Sequence, residues 1–351
     1  MAPSNNPSSH TKPPVDRNVK HVVLGNLLFQ TWYQSIYPED LVSKDTDRLY
    51  VCRWCFRYSC DVDAYAKHSC VCQHRTTPPG TQIYDHGGYA VWEVDGDDHK
   101  LYAQNLSLFA KLFLDHKSVF FDVASFLYYL LTFTDPEDPE NYYILGFFSK
   151  EKLSWDANNL ACILIFPPYQ HKQLGKLLMG VSYKISDWEK DGGLIGGPEK
   201  PLSEMGRKSY SRFWEERIAR YLLLHDLNTE DSSRQKQKPS TSSRGKHPHE
   251  VMTVQELGLA TGMLTEDVIT ALKGMGVVEP TTPSKRGRVN QEAGEVDEDK
   301  TVRIRKSRVL EWAKAHRITL RDPLRDEGFL GRWAPHHTSE ISDSGSEESD
   351  E

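Results

Sequence analysis

Apolar residues are concentrated between positions 90 and 224, in short runs that are bounded by turn-forming residues. Residues 90–94, 142–148 and 160–166 are three such runs, and their lengths and flanks are typical of strands buried in a sheet. No low-complexity segment interrupts this stretch. It therefore predicts the main hydrophobic core of the chain.

Helices are indicated in the same stretch by apolar positions that recur three and four residues apart. Residues 104–114 carry leucine and phenylalanine at this spacing, which predicts a helix with one buried face. The same spacing predicts a second helix over residues 174–188. A third is expected from Glu204 to about Leu224.

A smaller helical pattern follows over residues 251–278. Thr253 and Glu256 have the spacing of a capping box, and Thr265 is expected to cap a second helix. Two short helices joined by a glycine-containing turn predict a helix-turn-helix unit. Residues 307–316 are a candidate third helix.

Composition divides the chain into an expected order of segments. These are a disordered tail (1–20), N-terminal strands with a cysteine-rich finger (21–88), the main core (89–227), a disordered linker (228–250), the helix-turn-helix-like region (251–336) with a disordered insertion at about 280–301, and an acidic disordered tail (337–351).

The net charge of −7 is distributed unevenly, because the last fourteen residues hold six acidic residues and no basic ones. The remainder is nearly neutral, so bulk charge gives no support for nucleic-acid binding. No secretory signal or membrane-length apolar run is present, and we expect an intracellular protein without membrane contact. Cysteines in that compartment are usually reduced, so clustered ones favour metal binding over disulfides.

Four potential metal ligands lie between residues 52 and 72: Cys52, Cys55, His68 and Cys72. Their spacing, Cys-x2-Cys-x12-His-x3-Cys, is that of a single zinc site with a tight knuckle followed by a helical pair. Four protein ligands leave no open position, which predicts structural zinc. Cys70 could replace Cys72, although a separation of two residues from His68 is poor helical geometry. Buried cysteines without metal are the alternative.

Residues 160–176 read as a strand, a turn and the start of a helix. Backbone N–H groups at such a turn, together with the helix dipole, can bind a pyrophosphate. Many α/β turns share this pattern, so by itself it is weakly specific.

Several runs of residues, taken together in their order along the chain, resemble the MYST family of histone acetyltransferases, and this makes the pattern specific. They are the finger, Tyr84, residues 94–96, 104–106, 112–117, 121–123 and 146–152, the segment around Cys162, and residues 198–203. The resemblance covers about residues 20–225 well and 251–335 more loosely. The short N-terminal tail and residues 29–38 are most similar to the fungal "something about silencing" branch.

The resemblance implies an α+β fold: an acetyltransferase core with a central mixed sheet, an N-terminal C2HC zinc finger and a C-terminal helix-turn-helix (winged-helix-like) region. It implies a catalytic cysteine at Cys162, a general base at Glu199 and autoacetylation of Lys117. The implied acetyl-CoA contacts are Ile163, Leu164, Ile165, Gln170, His171, Lys172, Gln173, Leu174, Gly175, Lys176, Ser203 and Arg212.

The chain departs from the family pattern at two glycine-related positions. Gln173 stands where the family has the first glycine of Gln-x-x-Gly-x-Gly, and its side chain is expected to crowd the pyrophosphate or disfavour the required backbone angles. Gly197 stands where the family more often has serine. An active but weak enzyme is therefore the expectation.

The expected function is transfer of acetyl from acetyl-CoA to a lysine of a nucleosomal histone tail, with histone four favoured, in silencing and transcription regulation. The implied location is the nucleus, and the implied partners are nucleosomes and other subunits of an acetyltransferase complex. A catalytically weak scaffold subunit is the alternative. Sequence-specific DNA binding is disfavoured, since residues 265–276 offer Lys273 as their one basic residue.

Overall fold

The computed structural model describes residues 17–115, 117–189, 195–233, 249–279 and 301–335. Most of the expected N-terminal tail, linker, insertion and acidic tail lies outside these ranges. Two of the expected segment boundaries fall inside elements that the structure describes. A strand begins at Val19, and the helix expected to end near Leu224 continues to Ser233.

A five-stranded sheet forms the centre, in the order β5-β6-β7-β8-β9. Its strands are β5 (Thr81–His86), β6 (Tyr89–Asp95), β7 (Phe126–Asp135), β8 (Asp138–Glu151) and β9 (Cys162–Ile165). All three expected strands are present. The expectation of a mixed central sheet needs correction, because its neighbouring strands follow one another in the chain and pair antiparallel. Within the described ranges, the parallel pairing beside this sheet is an isolated bridge between Leu160 and Pro198.

Alternating side chains of the central strands point into two separate cores, one on each face of the sheet. In β7, Tyr129 and Leu131 enter the first core, whereas Tyr128 and Leu130 enter the second. The first core is covered by α3 (Leu174–Glu189) and α4 (Glu204–Ser233). The second is covered by α2 (Lys100–Lys111) and the N-terminal strands.

The N-terminal unit is a separate four-stranded sheet followed by a helix. Its elements are β1 (Val19–Leu24), β2 (Leu27–Gln30), β3 (Thr46–Val51), β4 (Tyr58–Ser59) and α1 (Val62–Val71). Its apolar side chains share the second core with α2, so the finger is part of the main body and not an independent module.

The helix-turn-helix region packs on α4 and shares the first core. It comprises β10 (His249–Thr253), α5 (Val254–Thr261), α6 (Thr265–Met275), β11 (Thr301–Arg305) and α7 (Lys306–Ala315). The capping box of Thr253 and Glu256 is present. Thr265 is not the cap of α6, because the extended backbone ends at Leu264 and Thr265 is already helical.

Residues 326–333, near the end of the last described range, lie along the outer edge of β5, and we call them the C-terminal strap. Phe329 bridges to Tyr84, and the Leu330 N–H donates to the Ile83 carbonyl at 2.9 Å. An added Cβ at Gly328 would lie 2.7 Å from a ring carbon of Tyr84, so only a glycine at this position lets the strap lie this close to β5. None of the described helices has the length and apolarity that a bilayer crossing requires.

Candidate active site

The finger brings its four predicted ligands together. The donor atoms of Cys52, Cys55, His68 and Cys72 all lie within 4.8 Å of one another. The knuckle is closed by Phe56, whose N–H donates to the Cys52 carbonyl and whose φ is +59°. His68 occupies the last turn of α1 and Cys72 its C-cap. Three sulfurs and one imidazole nitrogen at these separations fit tetrahedral zinc.

The spare cysteines do not join this cluster. Cys70 is exposed and belongs to no group of potential ligands in the described part of the chain, which resolves the choice between it and Cys72. Cys60 is also exposed. The four protein ligands of the cluster leave no open coordination position. The buried Cys52 and Cys72 join the site to the second core.

Cys162 begins the edge strand β9 and is partly accessible. Its Sγ lies 3.0 Å from the Ser149 Oγ and 3.9 Å from the Lys117 Nζ. Lys117 therefore meets Cys162 although the two are far apart in sequence. Neighbouring β8 bulges at Leu145, where an added Cβ at Gly146 would lie 2.4 Å from the Leu164 carbonyl. The glycine lets β8 and β9 approach closely just beyond the cysteine.

Glu199 is held by parallel backbone pairing beside residues 159 and 160, just before strand β9. Its N–H donates to the Leu160 carbonyl at 2.9 Å, and the Asn159 N–H donates to the Gly197 carbonyl at 2.8 Å. Burial raises the pKa of the Glu199 carboxyl, and the negative charges of Glu151 and Asp156 raise this pKa further. A carboxylate with a raised pKa is a stronger base than an ordinary glutamate.

In the turn after β9, two residues have backbone dihedral angles that residues with a side chain rarely adopt. His171 and Gln173 both have φ of +64°, in the left-handed region. The Gln170 Nε2 donates to the Ile165 carbonyl at 2.8 Å, which closes the turn onto its strand. Residues 171–173 are exposed, and Leu174 begins α3 as a buried residue. The helix α3 thus begins directly after an exposed turn, which is where an anion site at a helix N-terminus would lie.

Two predicted cofactor residues, Lys176 and Arg212, converge on a buried carboxylate that the sequence analysis missed. Glu216 of α4 accepts from the Lys176 Nζ at 2.6 Å, and the same oxygen forms an ion pair with the Arg212 Nε at 3.2 Å. Its other oxygen pairs with Arg220 at 3.2 Å. The spacing of four residues on either side of Glu216 could have indicated this network.

Ser203 and Arg212 also have structural partners. The Ser203 Oγ accepts from the Gly206 N–H at 3.1 Å and so caps the start of α4. Arg212 donates to the His316 carbonyl at 3.3 Å, and its guanidinium lies 4.9 Å from the centre of the Trp312 ring. Arg212 is therefore tied to the helix-turn-helix region.

Comparison with known families adds to this geometry. Residues 77–311 match the model described as the MOZ/SAS family, and residues 16–72 match the MYST family zinc finger domain. The chain belongs to the MOZ/SAS family. Membership confirms the expected acetyltransferase fold, and the finger match with the four clustered ligands confirms the prediction of structural zinc.

Curated relatives of this MOZ/SAS chain include three named as histone acetyltransferases. It is 39% identical over 259 residues to "Histone acetyltransferase Tip60 homolog" of Caenorhabditis elegans, covering 73% of this chain and 50% of the relative. It is 40% identical over 255 residues to "Histone acetyltransferase MOF" of Drosophila melanogaster, covering 73% and 27%. It is 33% identical over 281 residues to "Histone acetyltransferase ESA1" of Debaryomyces hansenii, covering 75% and 52%. The chain thus spans about half or less of these relatives' lengths.

Proposed function

We propose that this chain is a histone lysine acetyltransferase that uses acetyl-CoA. The observation that carries the proposal is the register of residues 197–199 along residues 159–160, which places Glu199 beside the residues just before the strand that Cys162 begins. A nucleophilic side chain and a proposed anion-binding turn then lie on one short segment, residues 162–176, and the proposed base lies beside the start of that segment. The family match supports the same reaction.

The proposed chemistry starts from the substrate amine. A lysine side chain has a pKa of about 10.4 and must lose a proton before it can attack a thioester. Glu199 removes that proton directly or through one water. We favour direct transfer within a ternary complex, in which the free amine attacks the thioester carbon, the thioester C–S bond breaks and coenzyme A leaves as its thiol; Cys162 then lines the site. A covalent acetyl on Cys162 is the alternative, and autoacetylation of Lys117 would take place 3.9 Å from its sulfur.

The proposed cofactor contacts follow the turn. Backbone groups of Ile163, Leu164 and Ile165 on β9 would flank the pantetheine, and residues 170–176 would hold the pyrophosphate. Bound acetyl-CoA supplies the activated acetyl group. Lys176 and Arg212 add positive charge near this turn, although Glu216 already neutralises part of it. Ser203 remains a proposed contact beside its capping role.

Substrate, partners and location are finer parts of the proposal. We propose the tail of histone four within nucleosomes as substrate, a nuclear location, and action with other subunits of a complex in silencing and transcription regulation. Membership of the fungal "something about silencing" branch is likewise a proposal, since the relatives compared carry other names.

Acetyl transfer to nucleosomes, measured with labelled acetyl-CoA and mass-spectrometric site mapping, tests the proposal. We expect Glu199→Gln to lower the rate by about 10²-fold or more. The wild-type rate should fall as pH drops through the raised pKa of Glu199, because only the carboxylate accepts a proton. Glu151→Gln is the matched control: it should move the acid limb to lower pH and, because it weakens the base without removing it, lower the rate at high pH far less than Glu199→Gln does. Equal rates for wild type and Glu199→Gln would remove Glu199 from the mechanism.

The scaffold alternative rests on one observation, the strained backbone at Gln173 in the proposed pyrophosphate turn. Calorimetric titration with acetyl-CoA separates the two functions. Binding together with nucleosome acetylation supports the enzyme. Absence of both supports a scaffold built on an acetyltransferase fold.

A further inference from the structure

Lys200, the residue after the proposed base, points away from it and onto the helix-turn-helix region. Its Nζ lies 2.9 Å from the Asp267 Oδ1 and also contacts Glu266. Both acids belong to the first turn of α6. The Asp267 side chain is 3% exposed and that of Glu266 is 62% exposed, so only one of the two ion pairs is shielded from water.

The start of α6 packs tightly on the loop that carries the base. An added Cβ at Gly197 would lie 2.7 Å from the Leu264 Cδ1 and 3.3 Å from the Asp267 Oδ2. That Oδ2 is buried and has no hydrogen-bond partner in the described part of the chain. The carboxylate of Asp267 therefore depends on Lys200 for its main compensation, and burial still raises the pKa of Asp267.

The charges around Glu199 differ from those around the adjacent Lys200. The negative charges of Glu151 and Asp156 raise the pKa of the Glu199 carboxyl, whereas the ammonium of Lys200 interacts with the carboxylates of Asp267 and Glu266. Within the described ranges, Glu199 takes part in no ion pair. An adjacent ammonium that was free to turn would pair with Glu199 and make it a weaker base.

We infer that Asp267 is a positioning residue, which holds the Lys200 ammonium on α6 and thereby keeps the Glu199 carboxylate unpaired and its loop in place. The inference rests on the proposed function, because it concerns the base of that reaction. It also gives the helix-turn-helix region a role that needs no DNA. The region packs against the loop that carries the proposed base and holds that loop in position.

The experiment measures kcat, KM and the pH dependence of kcat/KM for histone-tail acetylation, with acetyl-CoA affinity from calorimetry. We expect Asp267→Asn to lower kcat about tenfold, since a small displacement of a base is costly. Its acid limb should move to lower pH, because the freed ammonium stabilises the Glu199 carboxylate. Acetyl-CoA affinity should not change. Glu266→Gln is the matched control on the same turn, and its effect should stay within about twofold.

The double variant Lys200→Gln/Asp267→Asn separates positioning from mere structural damage. Without the ammonium, the Asp267→Asn change should no longer move the acid limb. An unchanged acid limb in Asp267→Asn, or the same shift in the Lys200→Gln background, overturns the inference. If Glu199→Gln is slow while Asp267→Asn behaves as wild type, only the positioning role falls. If Glu199→Gln is as fast as wild type, the proposed base falls and the inference with it.

A second measurement covers the case in which Asp267→Asn does not fold. Hydrogen exchange of the Glu199 amide, which donates to the Leu160 carbonyl, reports the loop without any need for activity. Lys200→Gln should exchange this amide faster than wild type and lower kcat about tenfold. Wild-type exchange together with wild-type kcat in Lys200→Gln overturns the inference.

Discussion

Replacing Gln173 by glycine should stabilise the protein, although glycine usually destabilises. Gln173 has φ of +64°, and its side chain is exposed, so the change removes strain and few contacts. A left-handed conformation costs a residue with a Cβ about 1–2 kcal/mol. Glycine makes the unfolded chain more flexible, which takes back about 0.4–1 kcal/mol. At the middle of these two ranges the net gain is about 0.8 kcal/mol, or roughly 1–3 °C in Tm.

Thermal and urea unfolding of three single variants measures this effect with an internal control. His171→Gly should also stabilise, because its φ is +64°. Lys172→Gly lies between the two, is exposed and has no left-handed backbone, so it should destabilise. A loss of stability in Gln173→Gly equal to that in Lys172→Gly would refute the reasoning. We also expect Gln173→Gly to tighten acetyl-CoA binding, because the shortened side chain clears the proposed pyrophosphate site.

Three further predictions concern the metal site, the buried network and the strap. Cys72→Ser should abolish stoichiometric zinc by metal analysis, whereas Cys70→Ser should retain it. Glu216→Gln should lower the free energy of unfolding in urea by about 2 kcal/mol, since it leaves basic side chains around a buried site without their carboxylate. The exposed ion pair of Glu204 on the same helix is the control and should contribute less than about 0.5 kcal/mol. Gly328→Ala should cost about 1–3 kcal/mol, because its Cβ would lie 2.7 Å from a buried tyrosine ring, and an unchanged Tm would contradict this packing.

The elements with a strong apolar period were predictable from sequence. The stripe beginning at Leu174 produced α3 close to its expected limits, and the capping box at Thr253 marked the start of α5. Local signals of this kind depend on residues a few positions apart. The finger was predictable for the same reason, since its ligand spacing is a local pattern.

Contacts between distant segments were not predictable from such patterns. The pairing of Lys200 with Asp267, and the return of Phe329 to Tyr84, join parts of the chain that periodicity treats separately. Gln173 illustrates a different limit. Its replacement of a glycine was visible in the sequence, but only the backbone shows that the left-handed conformation is kept despite the side chain.

The C-terminal strap has a consequence for synthesis on the ribosome. The outer edge of β5 pairs with residues near 329, roughly 250 positions later in the chain. Until that segment has left the exit tunnel, a nascent chain presents β5 as an open strand edge, which is prone to pairing with other chains. Pairing along this edge must therefore wait until residues 326–333 have been synthesised, and a chaperone that shields the edge until then would improve the yield of native protein.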